Sequence, residues 1–150
     1  MHSLLTLLAH AERERDAALA ALRRLQIEQR NAQAQADQLQ SYRRDYEQRW
    51  SSEFSRSGGI AIVHCYQGFV TRLGQAIEQQ THVAQIATQR LTQAETVWRE
   101  FELRVASVGK LIGRRNVALR DQEGRREQKL QDDQATRMAW ERRSNRFAPA

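Results

Sequence analysis

Residues 66–119 read YQGFVTRLGQAIEQQTHVAQIATQRLTQAETVWREFELRVASVGKLIGRRNVAL, and the spacing of their apolar side chains decides the fold. Tyr66, Val70, Leu73, Ile77, Gln80, Ala84, Ala87, Leu91, Ala94, Trp98, Phe101, Val105, Val108, Ile112, Arg115 and Leu119 follow one another in alternating steps of four and three. Fourteen of these 16 positions are apolar, and only Gln80 and Arg115 break the run. A 3.5-residue repeat sustained that long keeps one narrow seam turned towards a partner helix, as in a coiled coil.

The partner lies upstream in the same chain. Leu4, Leu8, Ala11, Arg15, Ala18, Leu22, Leu25, Gln29, Ala32, Ala36, Leu39, Arg43, Tyr46 and Trp50 repeat the same steps, with eleven of 14 apolar. Gly58 and Gly59 stand between the two runs. A turn centred near Gly58 pairs residues whose numbers add to 116: Trp50 with Tyr66, Tyr46 with Val70, Leu39 with Ile77, Leu25 with Leu91, Leu4 with Ile112. Every seam position of the first helix then lands on a seam position of the second. Sizes complement as well, Ala18 facing Trp98, Ala11 facing Val105 and Ala36 facing Gln80. Gln29, Arg15 and Arg43 face Ala87, Phe101 and Leu73, where a long stem can lie along an apolar neighbour. A shift by a whole heptad preserves the pattern, so spacing alone leaves that alternative register open.

The expected fold is therefore all-α, a long antiparallel two-helix coiled coil with helix 2 overhanging helix 1. Its expected bounds are one hairpin over 1–150, with helix 1 about 3–54, a turn about 55–61, helix 2 about 62–141 and a frayed tail 142–150. The overhang follows from the frame, which turns polar beyond Leu119 through Gln122, Arg126, Lys129, Asp133 and Thr136. At 1.5 Å per residue the paired span of helix 1 is roughly 70 Å.

Composition agrees. One proline, at position 149, leaves almost nothing to interrupt a helix, and neither alternating β-branched runs nor Asn-Gly or Asp-Gly turns occur. Eighteen glutamines and 22 arginines are good helix formers whose stems cover a narrow seam. Cys65 is alone, which excludes an internal disulfide and fits a reduced cytosolic compartment. The Leu4, Leu5, Leu7, Leu8 cluster runs into Glu12, Arg13 and Glu14, and reads as a helix start capped by Ser3 rather than a signal peptide. No 18-residue apolar run is present, so the expectation is a soluble, intracellular chain without a membrane span.

The net charge of +6 is spread unevenly: residues 113–150 hold 10 basic and 6 acidic groups, residues 1–112 hold 14 and 12. Alternation such as Glu12, Arg13, Glu14, Arg15, Asp16 is that of a solvated helix face. A nucleic-acid binder built on residues 113–150 is disfavoured by its six acids and by the lack of an aromatic stacking platform. Catalysis is disfavoured too. His2, His10, His64 and His82 lack metal-ligand spacing, His64 and Cys65 are adjacent rather than convergent, and Gly109-Lys110 is no phosphate loop. The expectation is a non-enzyme with no cofactor and no metal.

Two stripes stand out near the turn. Gln35, Leu39, Tyr42 and Tyr46 share one helix face at i, i+4, i+7, i+11, as do Phe69, Leu73, Ala76 and Gln80. Tyr42 and Phe69 lie beside the seam instead of in it. Such rings can seal the end of the hairpin or form an apolar docking patch, and spacing alone leaves both roles open.

This region resembles the flagellar type III export stalk protein family, FliJ. The resemblance is carried by Tyr42-Arg-Arg-Asp-Tyr46, a gap holding Gly58-Gly59-Ile60, and Tyr66-Gln-Gly-Phe69-Val-Thr-Arg-Leu73-Gly-Gln-Ala76-Ile77-Glu-Gln-Gln80, with Trp98-Arg99 further on. Gly74 departs from it, since the family usually has a better helix former there. The resemblance implies a non-catalytic stalk, similar to the central stalk of rotary ATPases, that engages the hexameric ring of the flagellar export ATPase. It further implies contact with the cytoplasmic domain and linker of the export gate, a membrane protein. Carried over residue by residue, the gate contact falls on Gln35, Leu39, Tyr42, Tyr46, Phe69, Leu73, Ala76 and Gln80. The other end would face the ATPase ring through Arg114, Arg115, Arg120, Arg125 and Arg126, which alternate with Asp121, Glu123 and Glu127. Export chaperones are a further class of partner, and the implied place is the cytoplasm, peripheral to the inner-membrane export apparatus. Polar seam positions Arg15, Gln29 and Arg43 disfavour open-ended assembly, so a monomeric hairpin is expected. The alternatives are an injectisome-type stalk and a general export chaperone or coiled-coil scaffold.

Overall fold

A computed structural model describes residues 2–54 and 59–147. They form helix α1, His2–Arg49, a π-helical turn, Trp50–Phe54, and helix α2, Ile60–Arg146, with no strand among the described residues. Residues 55–58, which hold most of the expected turn and Gly58, and residues 148–150, with Pro149, lie outside the described residues.

The fold is all-α, with two long helices packed against each other as an antiparallel coiled coil. Contacts divide the described chain into two units, 11–103 and 2–10 with 104–147. In the first unit, residues ascending in α1 meet residues descending in α2. Arg15 reaches Glu102, Gln29 donates to Thr88, Gln80 donates to the Ala32 carbonyl, and the rings of Trp50 and Tyr66 stack. Arg15–Glu102, Gln29–Thr88 and Trp50–Tyr66 add to 117, 117 and 116, and a register one heptad away would separate these three.

Burial follows the heptad frame. The buried residues Ala11, Leu22, Ala32, Ala36, Ile77, Ala84 and Val108 are all seam positions, and Ala36, at 2% exposure, is the most covered. Every other seam position from Leu4 to Trp50 and from Tyr66 to Ile112 is half-buried. Polar seam residues are satisfied in different ways. The Gln80 amide donates both to Gln35 Oε1, at 3.0 Å, and to the Ala32 carbonyl, at 3.3 Å. Arg15 is held by Asp16 at 3.1 Å and lies 3.8 Å from Glu102, partly exposed pairs of small energetic weight.

The second unit shows where pairing stops. Leu4, Leu8, Val105 and Ile112 are half-buried and Val108 is buried, but from Gly113 to Phe147 every described residue is exposed. With 87 residues against 48, α2 outlasts α1 and continues as an uncovered helix.

Three local details differ from the sequence-based expectation. Helix α1 already includes His2, so Ser3 lies within its first turn and is not its cap. At the other end α1 gives way to the π turn at Trp50, where Ser51 and Ser52 both donate their hydroxyls to the Gln48 carbonyl, at 3.1 and 2.9 Å. Serine hydroxyls compete for carbonyls that helical N–H groups would use, which favours a widened turn. Helix α2 runs on through Arg142–Arg146, part of the stretch expected to fray. No proline or glycine interrupts those residues, and Arg143 and Arg146 in the last turn complement the helix dipole. Its start is set by Gly59, whose carbonyl accepts from the N–H groups of Ile62 and Val63 at 3.1 and 3.3 Å.

The register has a direct test. In a Cys65→Ser background, Ala32→Cys with Ala84→Cys is expected to form an intrachain disulfide on mild oxidation, because antiparallel seam partners lie within bridging reach. Ala32→Cys with Leu91→Cys, one heptad out, is expected to stay reduced. Electrophoretic mobility with and without reductant reads both, and crosslinking of only the second pair would overturn the register.

Candidate functional site

All eight residues of the two stripes belong to the unit 11–103, and helical spacing brings each stripe to one side of its helix. The structure joins the stripes at two points. One is the hydrogen bond from Gln80 to Gln35. The other is a ring contact between Tyr46 and Phe69, with centroids 4.3 Å apart and planes inclined by 38°. Leu39, Leu73 and Ala76 are half-buried between these points.

The aromatic contact continues beyond the stripes. Tyr46 lies parallel to Tyr66 at 5.7 Å and 5°, and Tyr66 stacks on Trp50 at 4.0 Å and 13°. Four rings, Trp50, Tyr66, Tyr46 and Phe69, thus form one ladder across the two helices. Each such pair contributes roughly 0.5–1.5 kcal/mol beyond the area it buries. Trp50 and Tyr66 were read from the sequence as ordinary seam partners, and their facing positions at the 116 register were the available signal.

The rings at this end differ in exposure. Trp50, Tyr66 and Tyr46 are half-buried and close the paired helices at this end. Phe69 packs one side on Tyr46 yet remains 42% exposed, and Tyr42 is 60% exposed. Ile62, 41% exposed, lies two turns before Phe69 on the same side of α2 and widens the apolar surface. That i, i+7 pair was legible in the sequence but was not included in the stripes. The result is a partly apolar surface resting on a rigid aromatic base.

The five arginines of the other expected site lie in the unit formed by 2–10 and 104–147, on the exposed part of α2. At about 100° per residue, Arg114 and Arg125 fall on one line and Arg115 and Arg126 on the next, with Lys129 between them. Arg120 falls on the opposite side, beside Glu123 and Glu127. Four of the five therefore share one basic sector and the fifth does not. No ion pair holds any of them among the described residues, so their charges are free to meet a partner.

One surface cleft along the helices is lined by Ala18, Ala21, Leu25, Arg90, Gln93, Ala94 and Val97, a lining without a carboxylate or a nucleophile. Among the described residues no group of three His, Cys, Asp or Glu could hold a metal, and no helix is long and apolar enough to cross a membrane.

Against this geometry, the family model of the flagellar FliJ protein matches residues 1–144 of the chain. No curated protein and no solved structure matches it.

The division of labour among the rings predicts different costs on truncation. Tyr42→Ala is expected to change unfolding free energy by less than about 0.5 kcal/mol, as for an exposed side chain. Tyr46→Ala, which removes the middle of the ladder, is expected to cost about 2 kcal/mol or more. Urea unfolding followed by helical circular dichroism distinguishes them, and equal costs would contradict the assignment.

Proposed function

The chain belongs to the flagellar FliJ protein family, non-enzymatic components of the flagellar export apparatus, and from that premise we propose that it is a stalk linking the export ATPase ring to the export gate. In this reading the exposed basic segment of α2 engages the hexameric ring, and the aromatic surface of the other unit docks on the cytoplasmic domain and linker of the gate. The protein acts as a single chain in the cytoplasm, peripheral to the inner-membrane export machinery.

One observation carries the reading. The described residues include two exposed surfaces of different chemistry, which supports the reading of two partners. Gln35, Tyr42 and Phe69 are exposed on a base formed by Tyr46, Leu39, Leu73, Ala76 and Gln80. Exposed aromatic rings on a packed base are the anchors that carry most binding energy at interfaces. The second face is the Arg114, Arg115, Arg125, Arg126 sector, with Arg120 apart from it. Guanidinium groups pair with carboxylates in two-point contacts, which suits a ring channel lined with acidic or polar groups. Coupling is mechanical: a helix pair whose base is fixed by a continuous seam transmits displacement from one partner to the other. The match to a flagellar family favours this system over an injectisome stalk. A chaperone role, with export chaperones or cargo bound instead, is the outcome left if both main partners fail to bind.

The decisive measurement is the hydrolysis rate of the cognate flagellar export ATPase with and without the chain at matched salt. Stimulation and ring formation are expected. Arg114→Glu with Arg125→Glu is expected to weaken stimulation several-fold, and the wild-type effect is expected to fall as salt rises. Arg120→Glu, on the opposite side, is expected to matter less. In cells, Tyr42→Ala with Phe69→Ala is expected to abolish motility while helical content is unchanged. Absence of both complex and stimulation would sink the stalk reading and leave the chaperone role.

A further inference from the structure

We infer that Trp50 and Tyr66 are positioning residues of the docking surface: through the ring ladder they fix the orientation in which Phe69 is presented. The inference rests on the reading of that surface as the gate contact and extends it to two residues that the stripes do not include.

Three measured contacts define the ladder, Trp50 on Tyr66 at 4.0 Å, Tyr66 beside Tyr46 at 5.7 Å, and Tyr46 against Phe69 at 4.3 Å. The first two contacts are nearly parallel, at 13° and 5°, and the last is tilted by 38°. Parallel contact on one side of Tyr46 leaves that ring little freedom to rotate about its stem. The ring of Phe69, which leans on the other end of the chain of contacts, therefore takes its angle from Tyr46. Exposed aromatic side chains otherwise change rotamer within nanoseconds, and a ring that must be ordered on binding loses affinity. A pre-ordered Phe69 avoids that loss.

The backbone at Trp50 supports the same role. The π turn begins at Trp50, and the hydroxyls of Ser51 and Ser52 both donate to the Gln48 carbonyl beside it. Single widened turns in helices are frequent at functional sites. Here the turn begins at an indole that stacks on Tyr66 at 4.0 Å. A seam closed only for stability would be served as well by leucine at position 66, because leucine fits a heptad seam and has higher helix propensity than tyrosine.

That comparison makes the test. Tyr66→Leu and Tyr66→Phe are made in the full chain, with 4-fluorophenylalanine introduced at position 69. Both variants are expected to keep the helical circular dichroism signal. In the wild type and in Tyr66→Phe, the fluorine resonance of residue 69 is expected to show the ring-current shift of an ordered contact. In Tyr66→Leu it is expected to move towards its value in the urea-unfolded chain. Binding to the intact export gate in nanodiscs is expected to weaken about tenfold in Tyr66→Leu and in Trp50→Leu, and less than twofold in Tyr66→Phe. An unmoved resonance or full affinity in Tyr66→Leu would overturn the positioning role. Phe69→Ala separates the two levels. Lost binding in Phe69→Ala with full binding in Tyr66→Leu rejects the ladder and keeps the docking surface, whereas full binding in Phe69→Ala rejects the docking surface and the inference with it.

Discussion

Everything in this molecule depends on two narrow apolar seams fitting each other along one line. All seven buried residues are seam positions, and four of them, Ala11, Ala32, Ala36 and Ala84, are alanines. Alanine at the contact lets helix backbones approach closely, as where Ala32 and Ala84 face each other, while Ala11 and Ala36 face the larger Val105 and Gln80. There is no second layer behind the line, and no large side chain is fully covered among the described residues. A fold of this kind gains its stability from repetition of many half-buried contacts, each modest. Polar groups at the seam are accommodated unevenly: Gln80 makes two hydrogen bonds to α1, while Trp98 Nε1 in the seam and Glu102 Oε2 beside it are buried without a hydrogen bond.

The same constraint explains where binding surfaces can arise. A seam uses about one face of each helix and leaves the remainder in water, so the pair encloses no pocket. Recognition has to be built beside the seam or beyond its end. Beside it, rings at flanking positions can rest on seam rings, which is the arrangement of Phe69 on Tyr46. Beyond it, α2 has no cover from Gly113 onward and presents side chains on every side. The exposed surface in the first case carries aromatic rings and in the second guanidinium groups.

Much of this was legible in the order of residues, for a physical reason. A heptad frame is one-dimensional, so periodicity alone states which side of each helix is covered, while the register stays open by whole heptads until contacts such as Trp50 on Tyr66 are known. The frame even located the last half-buried residue of α2, Ile112. What stayed hidden depends on local competition or on three-dimensional angle. The π turn at Trp50, with two serine hydroxyls on one carbonyl, is a local event that no period records. The ladder through Trp50 and Tyr66 requires ring inclinations, and spacing supplies only proximity. The stripes likewise grouped residues of unlike exposure, because a helix face has an edge and a centre, and Tyr42 and Leu39 occupy different parts of it. Among the five arginines, alternation with acids concealed the sector shared by four of them and the isolation of Arg120.

The composition of the uncovered part of α2 is best understood by what it avoids. Of its exposed apolar residues, Leu119, Trp140 and Phe147 fall on the continued heptad frame, Val117, Leu130 and Met138 lie off it, and the frame positions between Leu119 and Trp140 are the polar Gln122, Arg126, Lys129, Asp133 and Thr136. Had the seam continued past Ile112, the unpaired helix would have offered a second copy of the chain an apolar stripe, and heptad stripes associate readily. Interrupting the frame with polar residues while keeping helix formers preserves the helix and thins the apolar stripe it would otherwise present. The change at Gly113 is thus from a half-buried seam to an exposed helix in which basic side chains outnumber acidic ones.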